Sequence, residues 1–304
     1  MSKHTKVIVT GGAGFIGSNL VNALVKKDFD VHIIDNLCAG KKELVNPKAI
    51  LHVLDIRDLE KIKPVFKDAQ FVFHLAALPR VQYSIENPVE TSEVNVIGTL
   101  NVLIASKEAG VKKVIYTASS SAYGDQPIMP LREDMPAMPK SPYGLQKYIG
   151  ELYCKTWSSV YDLPTVCLRY FNVYGPNLNP DGAYALVIGK FLKMRKEGKP
   201  LTLTGDGKQT RDFTHVYDVV NANILAMEHD EVGGGEVFNI GAGKNVSIKS
   251  LAEMIGGPIE YLPARLEPHD TLADNSKAKR MLGWEPKVSF EDGIAELKKI
   301  FGIA

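Results

Sequence analysis

Cysteine is scarce in this chain and lacks any pairing pattern. Cys38, Cys154 and Cys167 are odd in number and without metal-ligand spacing, which argues against a disulfide framework and a thiolate metal site. The seven histidines are scattered and form no ligand motif, so no metal is expected. An excess of either charge is also missing. Thirty-six basic residues balance 35 acidic ones for a net charge of +1, and no basic stripe offers itself to nucleic acid or another polyanion. No apolar run is long enough to span a bilayer, and there are no repeats, long linkers or low-complexity tracts. With no signal peptide ahead of the first strand, the expectation is a soluble, cytoplasmic, non-membrane protein. What is present is ordinary globular chain: 304 residues, 45% hydrophobic and 23% charged, enough for one large domain or two closely packed ones.

Residues 6–10 (KVIVT) have the β-branched texture of a buried parallel strand. Gly11, Gly14 and Gly17 follow at once, and Ile16, Leu20 and Leu24 then recur at helical spacing. Strand, glycine turn and helix in that order is the context of a dinucleotide-binding fingerprint. The glycines allow a tight turn and close backbone approach, and the helix N-terminus offers N–H groups to a pyrophosphate. The spacing is GxxGxxG, and alone it would also suit a merely tight structural turn. The next segment, VHIID (31–35), reads as a second strand ending in Asp35, eighteen positions after Gly17. An acid there grips ribose hydroxyls and repels a 2′-phosphate, which favours NAD over NADP. Asp55, after AILHVLD (49–55), reads equally as an adenine partner or a solvated turn acid. FVFHLAA (71–77) reads as a further strand, with Ala76 and Ala77 small enough for close cofactor approach and His74 as a core histidine.

The run SPYGLQK carries Tyr143 and Lys147, one helical turn apart and on one face. A phenol is a poor base at neutral pH, and a neighbouring ammonium favours its phenolate. Ser119, at the end of a strand over 114–118, could orient a substrate alcohol. Together with the glycine turn, these residues suggest hydride exchange at a carbinol carbon. Another strand is expected at 165–170, and helices from Pro88 (capped by Asn87) and from Tyr143 to about Tyr161. Alternating strands and helices mean a doubly wound parallel α/β sheet, a Rossmann fold. After residue 170 glycine, proline and asparagine become dense, which suggests a smaller mixed α/β substrate domain. The expected division is 1–170 for cofactor and 171–304 for substrate, with elements near 212–240 returning to the first part.

GGAGFIGSNL, VHIIDN, HLAA, SSSAYGD, SPYGLQK, LRYFNVYGP, TRDFTHVYDV and ADNSKAKRMLGW resemble the extended short-chain dehydrogenase/reductases, over essentially the whole chain. The nearest likeness is to the UDP-hexose 4-epimerases. The resemblance implies Tyr143, Lys147 and Ser119 as the catalytic set. It implies NAD contacts from Gly11, Gly14, Phe15, Ile16, Gly17, Asp35, Asn36, Asp55, Ile56, Leu75, Ala76, Ala77, Asn95, Ala118 and Tyr170, besides Tyr143 and Lys147. UDP-sugar contacts are implied for Ser119, Ser121, Tyr143, Asn172, Tyr184, Ala185, Arg211, Arg265 and Thr271. The implied cycle oxidises C4 to a ketone, turns the sugar over while UDP stays anchored, and returns hydride to the opposite face.

The same resemblance separates relatives. The 4,6-dehydratases carry Asp and Glu where Ser120 and Ser121 stand, and the uronate decarboxylases carry Glu at the latter position. Without those carboxylates, epimerisation is the leading expectation. A net oxidoreductase or 4-reductase, a uronate or pentose 4-epimerase, and a non-catalytic NAD-sensing protein remain as alternatives. The resemblance further implies a homodimer through the helices near 93–109 and from Tyr143, with Leu100, Val102, Leu103 and Ile104 as apolar residues that equally suit well-buried, sheet-covering helices. Thr271 aligns with a gate beside the sugar C2 substituent, where a small residue admits an N-acetyl group. GAYALVIGKF (182–191) resembles the run found in members that prefer N-acetylhexosamines.

Overall fold

The computed structural model describes residues 5–181, 186–263 and 270–303. The first half alternates regularly: β1 (Lys6–Thr10), α1 (Phe15–Lys26), β2 (Asp30–Ile34), β3 (Ile50–His52), α2 (Leu59–Phe66), β4 (Phe71–His74) and α3 (Val81–Glu86). It continues through α4 (Pro88–Ser92), a π-helical turn (Glu93–Gly98), α5 (Thr99–Glu108), β5 (Lys113–Ser119), α6 (Pro142–Tyr161) and β6 (Thr165–Tyr170). Shorter pieces then mix: β7 (Val173–Tyr174), α7 (Val187–Lys196), β8 (Leu201–Thr204), β9 (Thr210–Asp212), β10 (Thr214–His215) and α8 (Val216–Glu228). The chain closes with β11 (Gly234–Ile240), β12 (Asn245–Ser247), α9 (Ile248–Ile255), β13 (Ile259–Leu262), α10 (Ser276–Leu282) and α11 (Phe290–Phe301).

Seven strands form one sheet in the order β11-β6-β5-β4-β1-β2-β3, and every pairing is parallel. Strand period two sends alternate residues to opposite faces, and both faces are covered. Val7, Val9, Val31 and Ile33 pack with Leu20 and Leu24 of α1 and Val219 of α8. Ile8, Ile34, Val72 and Tyr116 face the other way, onto Phe66, Val102, Leu103 and Cys154. A separate core of Phe191, Leu192, Leu201, Leu203, Phe213, Leu251, Ile255 and Leu297 holds the later elements. The chain reverses direction across the sheet between β1 and β4. This switch point leaves a crevice at the carboxyl ends of the strands, where ligands bind in such folds.

Two strands are shorter than the sequence suggests. AILHVLD pairs only over Ile50–His52, because Asp55 Oδ1 accepts the Arg57 backbone N–H at 2.9 Å and turns the chain. FVFHLAA leaves the ladder after His74, where the Ala76 N–H goes to the Thr10 side-chain hydroxyl at 3.2 Å. Asn87 stands at the N-cap of α4 with Pro88 in the first turn, but its side chain makes no capping bond and reaches back to the Tyr83 carbonyl at 3.4 Å. Val102 and Leu103, which suit either a dimer face or a sheet-covering helix, are wholly inside the core. Leu100 and Ile104 are half-buried. The exposed apolar residues of this region are instead Val89, Ile97, Leu145 and Leu152. Among the described residues no helix is long and apolar enough to cross a membrane, and no cluster of three or more His, Cys, Asp or Glu could hold a metal.

Candidate active site

The glycine turn after β1 is built so tightly that side chains are excluded. Gly11 has φ +72°, and a Cβ there would stand 2.8 Å from the Ala76 nitrogen on the neighbouring crossover. A Cβ on Gly17 would stand 2.1 Å from the Gly11 carbonyl oxygen. No side chain caps α1, which begins after Gly14, so the N–H groups of its first turn are left for an anion. Asp35, buried at the end of β2, accepts the Ala13 N–H (3.0 Å) and the Leu37 N–H (2.8 Å). Two acceptor positions on that carboxylate remain for ribose hydroxyls. The turn, the free helix end and the fixed acid fit a dinucleotide without a 2′-phosphate.

These groups line a cavity of about 800 Å³. Its wall includes Gly11, Gly14, Phe15, Ile16, Gly17, Asp35, Asn36, Asp55, Ile56, Leu75, Ala76, Ala77 and Ala118. At its far end lie Ser119, Ser121, Tyr143, Lys147, Tyr170 and Asn172. Asp55 is in the wall, but its two oxygens already accept four bonds: Arg57 N at 2.9 Å, Nε at 3.0 Å and Nη2 at 2.8 Å, and Asn36 Nδ2 at 2.9 Å. The Arg57 contacts hold its pKa down to about 2. An adenine amino group would have to share or displace one of those donors. Asn95 does not line the cavity. Inside the π-helical turn, it clamps both the N–H (2.8 Å) and the C=O (3.1 Å) of Leu78 and donates to Gln146 (2.8 Å). It holds the Leu78 backbone at the wall.

Ser141 caps α6, its Oγ accepting the Gly144 N–H at 3.1 Å, and Pro142 occupies the first turn. Tyr143 and Lys147 then project from one face of α6. Lys147 is buried, donates to the Thr117 carbonyl at 2.8 Å, and lies 5.0 Å from the centre of the Tyr116 ring. Burial lowers its pKa to about 8, against a smaller opposing pull from Cys154 and Glu151. Burial also raises the Tyr143 pKa, with the nearby Ser119 hydroxyl pulling the other way. Both groups are desolvated, and withdrawal from water is the largest influence on each. The positive charge of an oxidised nicotinamide is the remaining source of phenolate stabilisation.

Tyr170 is held by Asn223 Nδ2 at 2.7 Å and pushed up to about 12 by burial, so it serves as fixed wall. His74 is buried between Thr10 (2.7 Å) and Thr99 (2.9 Å), with its pKa lowered to about 3: a neutral core histidine. Asn172, at φ +29°, donates to the Asp212 carbonyl at 3.1 Å and points toward Thr271 Oγ1 at 3.4 Å. Thr271 Oγ1 also accepts the Asp212 N–H at 3.2 Å. Thr271 and Arg211 are not in the wall formed by the described residues; Arg211 Nη1 donates to the Thr210 carbonyl at 2.9 Å. Tyr184, Ala185 and Arg265 lie outside the described residues. The sequence reading missed the loop from Cys38 to Lys41, where the Lys41 N–H bonds the Ala13 carbonyl at 2.9 Å, and Arg80 and Gln82 beyond β4. A glycine at position 40 was the available signal for the first. A cation soon after a strand that enters the site was the signal for the second.

A phenol and a buried ammonium at the carboxyl end of a doubly wound sheet place the chain among the nicotinamide-dependent short-chain dehydrogenase/reductases. The pattern of the NAD dependent epimerase/dehydratase family matches residues 7–241, and the chain belongs to that family. It is 41% identical over 298 residues to a putative UDP-glucose 4-epimerase of Methanocaldococcus jannaschii, covering 95% of each chain. Its fold is similar to that of UDP-glucose 4-epimerase from Thermotoga maritima with UDP-glucose (TM-score 0.92, 38% identity, 97% and 99% of the two chains). A UDP-N-acetylglucosamine 4-epimerase from Methanobrevibacter ruminantium, in complex with UDP-N-acetylmuramic acid, is similar at TM-score 0.93 and 38% identity over 98% of each chain. NAD is the cofactor of the family.

Proposed function

We propose that this chain is a UDP-sugar 4-epimerase acting on UDP-glucose and UDP-galactose and on their N-acetylated forms. The observation that carries the reading is the grouping of Ser119, Tyr143 and Lys147 at one end of the dinucleotide cavity, with no carboxylate at Ser120 or Ser121. Bound NAD supplies a reversible hydride acceptor. Tyr143, as its phenolate, would take the proton of the sugar 4-hydroxyl to become the phenol and later return that proton, and Ser119 would orient that hydroxyl. Lys147, charged at neutral pH, donates to the Thr117 carbonyl and sets the local field. Asn172 and the later elements anchor the nucleotide, so binding energy far from C4 holds a ring that must turn over. The relatives that interconvert UDP-glucose and UDP-N-acetylglucosamine epimers support the choice of sugars, as does a small Thr271 next to Asn172.

The decisive experiment follows product formation from UDP-glucose and UDP-N-acetylglucosamine with no added cofactor, then measures NAD released on denaturation. Epimer formation with near-stoichiometric NAD supports the proposal. An absolute need for added NADPH, oxidised in step with product, would replace it with a net reductase. We further propose a homodimer through the adjacent α4–α5 and α6 surfaces, where Val89 is 73% exposed and Ile97, Leu145 and Leu152 each 47%. A light-scattering mass of one chain at micromolar concentration contradicts that pairing.

A further inference from the structure

Tyr143 stands in the first turn of α6, yet the acceptor for its N–H is not local. Pro142 brings no donor to that turn, the Gly144 N–H goes to Ser141 Oγ at 3.1 Å, and the Leu145 N–H goes to the Ser141 carbonyl at 3.0 Å. The Tyr143 N–H donates instead to Ser84 Oγ at 3.0 Å, on α3 and 59 residues earlier. Ser84 is wholly buried, and its hydroxyl hydrogen goes to the Val81 carbonyl at 2.7 Å, which leaves its lone pairs for Tyr143. A second contact fixes the same stretch of α6. A Cβ on Gly144 would stand 2.6 Å from the Ser121 carbonyl oxygen, so the helix is pressed onto the turn that carries the serine cluster. Ser119 Oγ accepts the Ser121 N–H of that turn at 3.2 Å. Two contacts therefore set where the Tyr143 phenol stands relative to Ser119: the backbone approach at Gly144 and the Ser84 bond at Tyr143 itself. A local cap stabilises a helix wherever it lies. A bond from another element fixes where it lies.

We propose that Ser84 is a positioning residue for proton transfer, which by holding the Tyr143 N–H sets the phenol against the nicotinamide and the reacting hydroxyl. This inference rests on the UDP-sugar epimerase reading of the site and deepens it. Ser84 is not among the described residues that line the cavity, and it acts through Tyr143.

The test follows epimerisation of UDP-glucose and UDP-N-acetylglucosamine, and the ionisation of Tyr143, in NAD-loaded parent, Ser84→Ala, Ser84→Thr and Ser106→Ala. Ser106 is the matched control, a wholly buried serine of α5 whose hydroxyl donates within its own helix, to the Val102 carbonyl at 2.7 Å. Ser84→Ala is expected to lower kcat by about 10–10²-fold with little change in KM, the cost of a small misplacement of a reacting group. Its Tyr143 phenolate, read as the ultraviolet difference between each protein and its Tyr143→Phe counterpart, should form at higher pH, because the phenol stands farther from the nicotinamide charge. Ser84→Thr keeps the hydroxyl and should recover most of both. Ser84→Cys, which fills the space with a weak acceptor, takes the place of Ser84→Ala if that variant does not fold. Equal losses of kcat in Ser84→Ala and Ser106→Ala, or an unmoved Tyr143 titration, would overturn the proposal. If the parent epimerises either sugar and Ser84→Ala keeps its kcat, the epimerase reading stands and this one falls. If the Tyr143 titration shifts in Ser84→Ala but the parent epimerises neither sugar, the positioning stands and the epimerase reading falls.

Discussion

Replacing Lys147 by methionine should abolish catalysis and make the folded chain more stable. Burial lowers the Lys147 pKa from its ordinary 10.5 to about 8. That difference corresponds to about 3 kcal/mol of penalty for holding the charged form in the fold. Methionine avoids the penalty with a side chain of similar length, but it forfeits the bond to the Thr117 carbonyl and the contact with the Tyr116 ring, together about 1–2 kcal/mol. The net gain expected at neutral pH is about 1–2 kcal/mol, or a few degrees in Tm. The sign with pH is specific. Because the folded pKa lies below the unfolded one, the unfolded chain binds more protons between about pH 8 and about pH 10.5. The parent therefore gains stability as pH rises through that window. The variant's lead should be full below about pH 8, shrink as the parent's penalty of about 3 kcal/mol is relieved, and reverse toward about pH 10.5. Thermal melts of both proteins, stripped of cofactor, across that range provide the assay. A Lys147→Met protein that is less stable at neutral pH, or a gap that does not change with pH, refutes the desolvation argument.

Tyr143→Phe should reduce kcat by roughly 10²–10⁴-fold and leave NAD content nearly unchanged, as measured by single-turnover kinetics and cofactor release. Near-normal rates would remove the proton-transfer role. Gly17→Ala should lose bound NAD outright, since its Cβ would lie 2.1 Å from the Gly11 carbonyl, and the cofactor absorbance of purified protein checks this. Asp35→Ala should narrow the preference for NAD over NADP by removing the acid that repels a 2′-phosphate; unchanged relative affinities in calorimetry would contradict it. Thr271→Tyr should suppress turnover of N-acetylated UDP-sugars by overpacking while sparing UDP-glucose. Equal loss of both in a coupled product assay would show that Thr271 does not gate the C2 substituent.

The local features of the site were legible in the sequence because they depend on short-range geometry. The Tyr143–Lys147 spacing needs only one helical turn, and Ser141-Pro142 supplies the cap that starts that turn. The glycine turn needs only the chain between β1 and α1, and Asp35 only the end of the next strand. What tertiary structure decided depends on neighbours distant in sequence. β11 joins the sheet beside β6, a parallel pairing that no local pattern specifies. The bonds that fix the Asn95 amide come from Leu78 and Gln146, 17 and 51 residues away. Ser84 of α3 meets the Tyr143 N–H across 59 residues, a contact no local pattern specifies. The ionisation of Tyr143 and Lys147 is likewise a tertiary property. Residue type sets which groups can exchange a proton, but desolvation by the packed chain sets how readily they do so.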